Sequence, residues 1–273
     1  MRSVPALHDL VVGGALLTVL VARPLAAQCP DGTPPPCRGI AARPARVAAP
    51  DPRTWIVLPF SNVTREPTAD WLRDASVNLL YLNMSRWQDI RVIDDGRVAD
   101  LVQTLPEAQR ASLALNSGLA LARRVGAGRL VMGDLMKSGE RTTVVAKVYE
   151  TTSGQRMRTV QEVIAGRDST MPTYERLAGR VVDARLPTGA SRDAVGTAAL
   201  DAYQEYVAGL QALSAWQLDQ AHRRFERAIV LDSTFALAQY RLAITIGWES
   251  GFDIRIAVHA ETAVRFSANL PAR

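Results

Sequence analysis

The residues that could do chemistry in this chain are few and far apart. Asp94 and Asp95 stand side by side before Gly96, as an acid/base pair or a two-carboxylate cation site would require. The same three residues suit a turn or a helix cap, and that reading needs nothing more. Beyond the first nine residues, the histidines are His222 and His259. Both fall on expected helix surfaces, with no nucleophile motif to make them part of a triad. Gly126-Ala127-Gly128 has the start of a dinucleotide-loop spacing. It lacks the third glycine and precedes a strand instead of following one. No Gly-Lys-Ser/Thr phosphate loop occurs. Arg223, Arg224 and Arg227 read as a solvated helix face, or as one wall of a groove for an acidic peptide. The two cysteines, Cys29 and Cys37, enclose a Pro-rich loop, CPDGTPPPC. Two thiolates are too few for a zinc site, and in an oxidising compartment a short disulfide loop is the simple outcome. The expectation is no catalytic residue, no metal and no cofactor.

The elements around these residues explain their scatter. Leu10 to Ala22 is an uninterrupted apolar run. It is shorter than the roughly 20 residues a spanning helix needs and has the length of a signal-peptide core. Arg2 supplies a positive start, and Leu25-Ala26-Ala27 supplies small residues for cleavage before Gln28. Residues 1–27 therefore read as an export signal, and the mature protein as periplasmic or secreted. Residues 28–53 are rich in Pro, Ala and Arg and read as a tether. The net charge is +5, which invites nucleic acid as a partner. Lysine occurs only at Lys137 and Lys147, and the arginines are spread along the chain without a cluster. That distribution argues against a phosphate-binding face.

Residues 54–187 read as one α/β unit. Thr54 to Phe60 is a bulky apolar run suited to a strand buried on both faces. Leu72, Ala75, Leu79 and Leu82 repeat at helical spacing. Ile90 to Ile93 reads as a second strand closed by Asp94-Asp95-Gly96. Leu115, Leu119, Ala122 and Val125 share a face of another helix. Three β segments follow, Arg129 to Leu135, Thr142 to Tyr149 and Arg156 to Ala165. Ser138-Gly139 and Ser153-Gly154 mark the hairpins between them. A closing helix runs from about Pro172 to Ala184. The order β-α-β-α-β-β-β-α implies a mixed sheet covered by helices, an α+β or α/β sandwich.

Leu58-Pro59-Phe60 ends the first strand, Val92-Ile93-Asp94 ends the second, and Val131 with Gly133 falls in a Val-x-Gly strand. Val148 to Gly154 adds a hairpin ending in Thr-x-Gly form. This set resembles the amino-terminal α/β domain of TolB and its relatives, including curli and flagellar outer-membrane assembly domains, over most of residues 54–165. The resemblance implies a structural module and brings no catalytic residue.

Residues 188–197 are small and polar and read as a linker. From 198 to 273 the pattern is wholly helical. Ala228 to Asp232 recurs as Ala263 to Ser267, and Tyr206 recurs as Tyr240, 34 residues on. That period and these residues resemble the tetratricopeptide repeat. The resemblance makes Gly209 and Ala221 the small residues where paired helices approach. Phe225 and Ala228 face the partner helix, and Leu242 and Ala243 take the first-helix positions of the next copy. Trp216 stands where the family commonly has glycine. Leu270-Pro271-Ala272 aligns with Phe235-Ala236-Leu237, so the sequence reads as stopping where a third repeat begins, a piece of a longer array or one whose last helix a partner covers.

The fold expected is thus a mixed-sheet α/β sandwich followed by an all-α array of helical hairpins. The function expected is a non-enzymatic scaffold of the bacterial cell envelope that binds a protein or peptide in the groove of the repeats. Tyr206, Gln211, Tyr240 and Arg241 are the candidate groove contacts. The membrane is met only through the signal segment or envelope partners. The alternative is an accessory component of an outer-membrane secretion, assembly or signalling complex, acting through the α/β domain.

Overall fold

A computed structural model describes residues 49–183 and 195–270. The segments read as an export signal and as a Cys29–Cys37 loop, with most of the expected tether and linker, lie outside the described residues, as do the last three positions.

The sheet is built around one strand. β1 (Asp51–Val57) buries Thr54 to Val57 without a break, and Leu58 and Phe60 continue the burial. An unbroken apolar run is what a central strand covered on both faces requires. β1 pairs in parallel with β3 (Arg91–Val92) on one side and β4 (Ala127–Ser138) on the other. β5 (Arg141–Glu150) and β6 (Arg156–Ile164) extend the sheet antiparallel, giving the order β3-β1-β4-β5-β6. A two-residue strand, β2 (Ser61–Asn62), also pairs with β4. β1 starts at Asp51, inside the segment read as tether. Its amide donates to the Gly126 carbonyl at 2.9 Å, so pairing with β4 carries the strand back past Thr54.

Alternation sets the faces. Val144, Ala146 and Val148 of β5 are buried, in register with Leu135, Gly133 and Val131 of β4. α1 (Trp71–Met84) and α5 (Thr170–Val182) pack on each other, and α5 runs along β5 and β6. α4 (Leu115–Arg124) lies on β4 from the other side, where Gly118 meets Leu58, Leu130 and Met132. The Leu-Pro-Phe and Val-x-Gly segments touch one another: a Cβ on Gly133 would stand 2.2 Å from the Phe60 ring. Only glycine leaves space for that ring.

Two helices were not foreseen. α2 (Asp95–Gln103) begins directly after β3, and α3 (Glu107–Ala111) follows. Asp94 caps α2, accepting from the Arg97 amide at 2.9 Å. Of the turn and cap readings of these residues, the cap is the one the structure has, and the helix it starts was not expected.

Four helices follow: α6 (Leu200–Ser214), α7 (Leu218–Leu231), α8 (Ala236–Ser250) and α9 (Ile254–Arg265). Each packs on the next, through connections short enough to force antiparallel neighbours. A Cβ on Gly209 would lie 2.5 Å from Phe225 Cε1. Ala221, Phe225 and Ala228 are fully buried, and Leu242 and Ala243 are nearly so. The sheet and the four helices belong to a single compact unit, Ala48–Arg273.

Candidate functional site

The helical array docks on the sheet body through α6. Tyr203 is fully buried, and its ring meets Trp71 of α1 edge-on at 6.5 Å. Its hydroxyl donates to Asn78 Oδ1 at 2.7 Å. Asn78 Nδ2 in turn donates to Asp95 Oδ2 at 2.7 Å. The second Asp95 oxygen lies 3.7 Å from Arg241 Nη2, with both side chains largely buried. One polar chain thus runs from α6 through α1 and α2 to α8. Burial, then the neighbouring Tyr206 and Asp95, holds the Tyr203 phenol well above its ordinary pKa, so it stays a donor.

This docking relocates the expected groove contacts. Tyr206 is 1% exposed and packs against Tyr203, Phe225 and Phe235 with centroids 5.0–6.0 Å apart. It is a core residue and presents no surface to a partner. Gln211 Nε2 donates to Asp74 Oδ2 of α1 at 2.7 Å. Arg241 faces Asp95, and its guanidinium carbon lies 5.9 Å from the Tyr240 ring centroid. Tyr240, at 46%, and Gln211 are the exposed members of the four. The α6 side that would line a groove is covered by the chain's own α1 and α2. The periodicity that singled out these positions identifies a helix face, and a face is equally suited to an internal neighbour.

Beside the docking contacts lies an open cleft of about 480 Å³. Its walls are the first turns of α2, with Asp94, Arg97 and Asp100, and the ends of α6 and α8, with Trp216 and Trp248. The two indoles lie 5.2 Å apart with ring planes at 31°, and they are 66% and 50% exposed. Neither tryptophan was singled out as a contact. Tyr240, Ile244 and Trp248 recur every fourth residue, and that stripe on α8 was the available clue. A second hollow of about 310 Å³ adjoins the cleft and shares Asp95, Ala99, Leu210 and Ser214 with it.

The histidines sit on the array. His222 Nδ1 is 2.6 Å from Glu249 Oε2 and its Nε2 is 3.3 Å from Glu226, tying α7 to α8. His259 Nδ1 is 2.7 Å from Gln239 Oε1, tying α9 to α8. Among the described residues no helix is long and apolar enough to cross a membrane.

No family model matches the chain, and no curated protein matches it. Several solved structures resemble it in part. The lipoprotein GNA1162 from Neisseria meningitidis is 14% identical, covering 48% of this chain and 95% of its own, at a TM-score of 0.36. The carboxy-terminal domain of LpoB from Salmonella enterica is 9% identical, covering 43% of this chain and 85% of its own, at 0.31. TolB from Acinetobacter baumannii is 17% identical, covering 50% of this chain but 28% of its own, at 0.30. At these identities and scores neither a family nor a function transfers to the chain.

Proposed function

We propose that this protein is a non-enzymatic interaction module of the bacterial cell envelope. Its helices α6–α9 form a tetratricopeptide-type array that holds a protein or peptide segment, and the α/β body is the platform on which that array stands. The groove available to a partner is the part its own α1 and α2 leave open, along Tyr240, Ile244 and Trp248 of α8 and past Trp216. The single observation that carries this reading is the pair of large aromatic side chains left in solvent at the mouth of a cleft. Exposed aromatics gathered in a concavity mark binding surfaces more often than they serve stability. The recurrence of Ala228 as Ala263, both buried on the second helix of a pair, supports the array, and the apolar run in residues 1–27 supports the envelope.

Photo-crosslinking in the native envelope tests it. Benzoylphenylalanine placed at Trp216 or Tyr240 is expected to give a discrete heavier adduct. The same residue at Met157, which is 53% exposed on β6, is expected to give none. Equal labelling at all three positions, or no adduct at any, overturns the reading.

A further inference from the structure

We propose that the cleft between α2 and the α6–α8 pair receives a basic side chain, arginine or lysine, from the bound protein, with the Trp216–Trp248 pair as its aromatic wall and Asp94 and Asp100 as its counter-charges. The inference rests on the reading that the array binds protein, and it names what that protein must present.

The first support is the tryptophan pair itself. Trp216 has φ of 57°, in the left-handed region that side chains rarely enter and that glycine enters freely. A bulky residue at such a turn is a local cost, and 66% exposure shows that burial does not repay it. Among the described residues its aromatic contact is Trp248, itself half exposed. The pair therefore offers indole surface to whatever enters the cleft. Indole is the strongest of the aromatic faces toward a cation.

The second support is charge. The chain as a whole carries +5. The cleft reverses that sign, with three aspartates, Asp94, Asp95 and Asp100, against Arg97 and Arg241. Asp95 and Arg241 are engaged with each other. Asp94 and Asp100 then face Arg97 alone, and the Asp100 carboxylate has no hydrogen bond or ion pair among the described residues. The adjoining hollow is lined by Asp74 and Asp95 and, among the described residues, by no basic one. Its Val98, Val102, Val207 and Leu210 supply an apolar floor for the alkyl stem of a long basic side chain. An anionic ligand is disfavoured, because Asp94 already occupies the amide end of α2.

Fluorescence anisotropy with labelled tetra-arginine and tetra-lysine tests the assignment on the full chain. Tetra-glutamate and cellotetraose compete as unlabelled probes of the other chemistries. Saturable binding of a basic peptide at low salt is expected, with no competition from either probe. Trp216→Ala combined with Trp248→Ala is expected to weaken binding about tenfold or more, in line with a desolvated cation–π contact. Both rings are solvent-exposed, so an unchanged melting curve accompanies that loss. Asp100→Asn is expected to weaken binding about threefold. Asp89→Asn makes the same change of charge at an exposed position outside the cleft lining and is expected to have no effect. Equal loss from Asp89→Asn and Asp100→Asn overturns the proposal, as does effective competition by tetra-glutamate or cellotetraose. If partners still crosslink at Trp216 while neither basic peptide binds, protein binding stands and the cation assignment falls.

Discussion

Arg86 and Glu175 show what a single residue contributes here. Arg86 follows the end of α1, just past Ser85, and Glu175 belongs to α5. Their side chains are 7% and 11% exposed and meet at 3.4 Å. Among the described residues, Arg86 Nη2 has no hydrogen-bond partner. A buried pair of this kind adds little net stability, because both charges gave up water to form it. Removing one member is different, since the other charge stays behind in a dry site. Glu175→Ala is expected to cost about 3–5 kcal/mol, read as a lower urea midpoint, whereas Arg86→Met with Glu175→Leu recovers most of the loss. Neither residue was singled out from the sequence, because the partners are 89 positions apart and no local pattern joins them. Asp94 was legible as a cap, since a cap is decided within three residues. Phe60 and Gly133 were legible as motif positions, but the sequence did not say that one is the space for the other.

At the scale of elements, the long periodic helices and the hairpin strands were readable and the short helices were not. α2 buries only Val98 and Leu101 within its nine residues, and Asp94-Asp95-Gly96 reads locally as a turn. Nothing in so short a segment outweighs that turn chemistry; the neighbouring α1 and α6 stabilise it instead. The contact between α8 and α9 has a pH dependence that can be worked out. His259 bonds to Gln239, and its pKa is held below the ordinary value by burial first, with His222 and Arg255 adding and Glu226 opposing. The folded state therefore favours the neutral ring. That contribution is complete above about pH 6.5, the ordinary histidine value, and is lost as pH falls below it. Melting temperature is expected to drop more for the native chain than for His259→Gln between pH 7.5 and 5, probes on either side of about 6.5. Identical drops would remove His259 as the cause.

For the whole molecule, the unreadable fact was the docking of the array on the sheet body. A polar linker suggested two independent parts. The structure instead links Tyr203 to Asn78 across 125 positions and Gln211 to Asp74 across 137. Sequence periodicity reports that a face is apolar or aromatic and is silent about which neighbour covers it. Two of the four candidate groove residues, Tyr206 and Arg241, are in contact as expected, but that contact is internal. Tyr203→Phe strands the Asn78 carbonyl oxygen and is expected to cost about 1–2 kcal/mol in chemical denaturation. A double-mutant cycle with Asn78→Ala is expected to give a coupling of about 1 kcal/mol, and strict additivity would mean that the hydrogen bond is not made.

The tryptophan cleft takes one wall from α2, on the sheet body, and the other from α6 and α8, on the array. A visitor that grips both walls fastens the two halves of the molecule together, and by reciprocity anything that loosens their joint must also lower its affinity. Asn78, which lies outside the lining of the tryptophan cleft and bonds to Asp95 in its wall, would then act as a dial on recognition. Changing it would tune how tightly the cleft holds without altering a single atom of the aromatic wall.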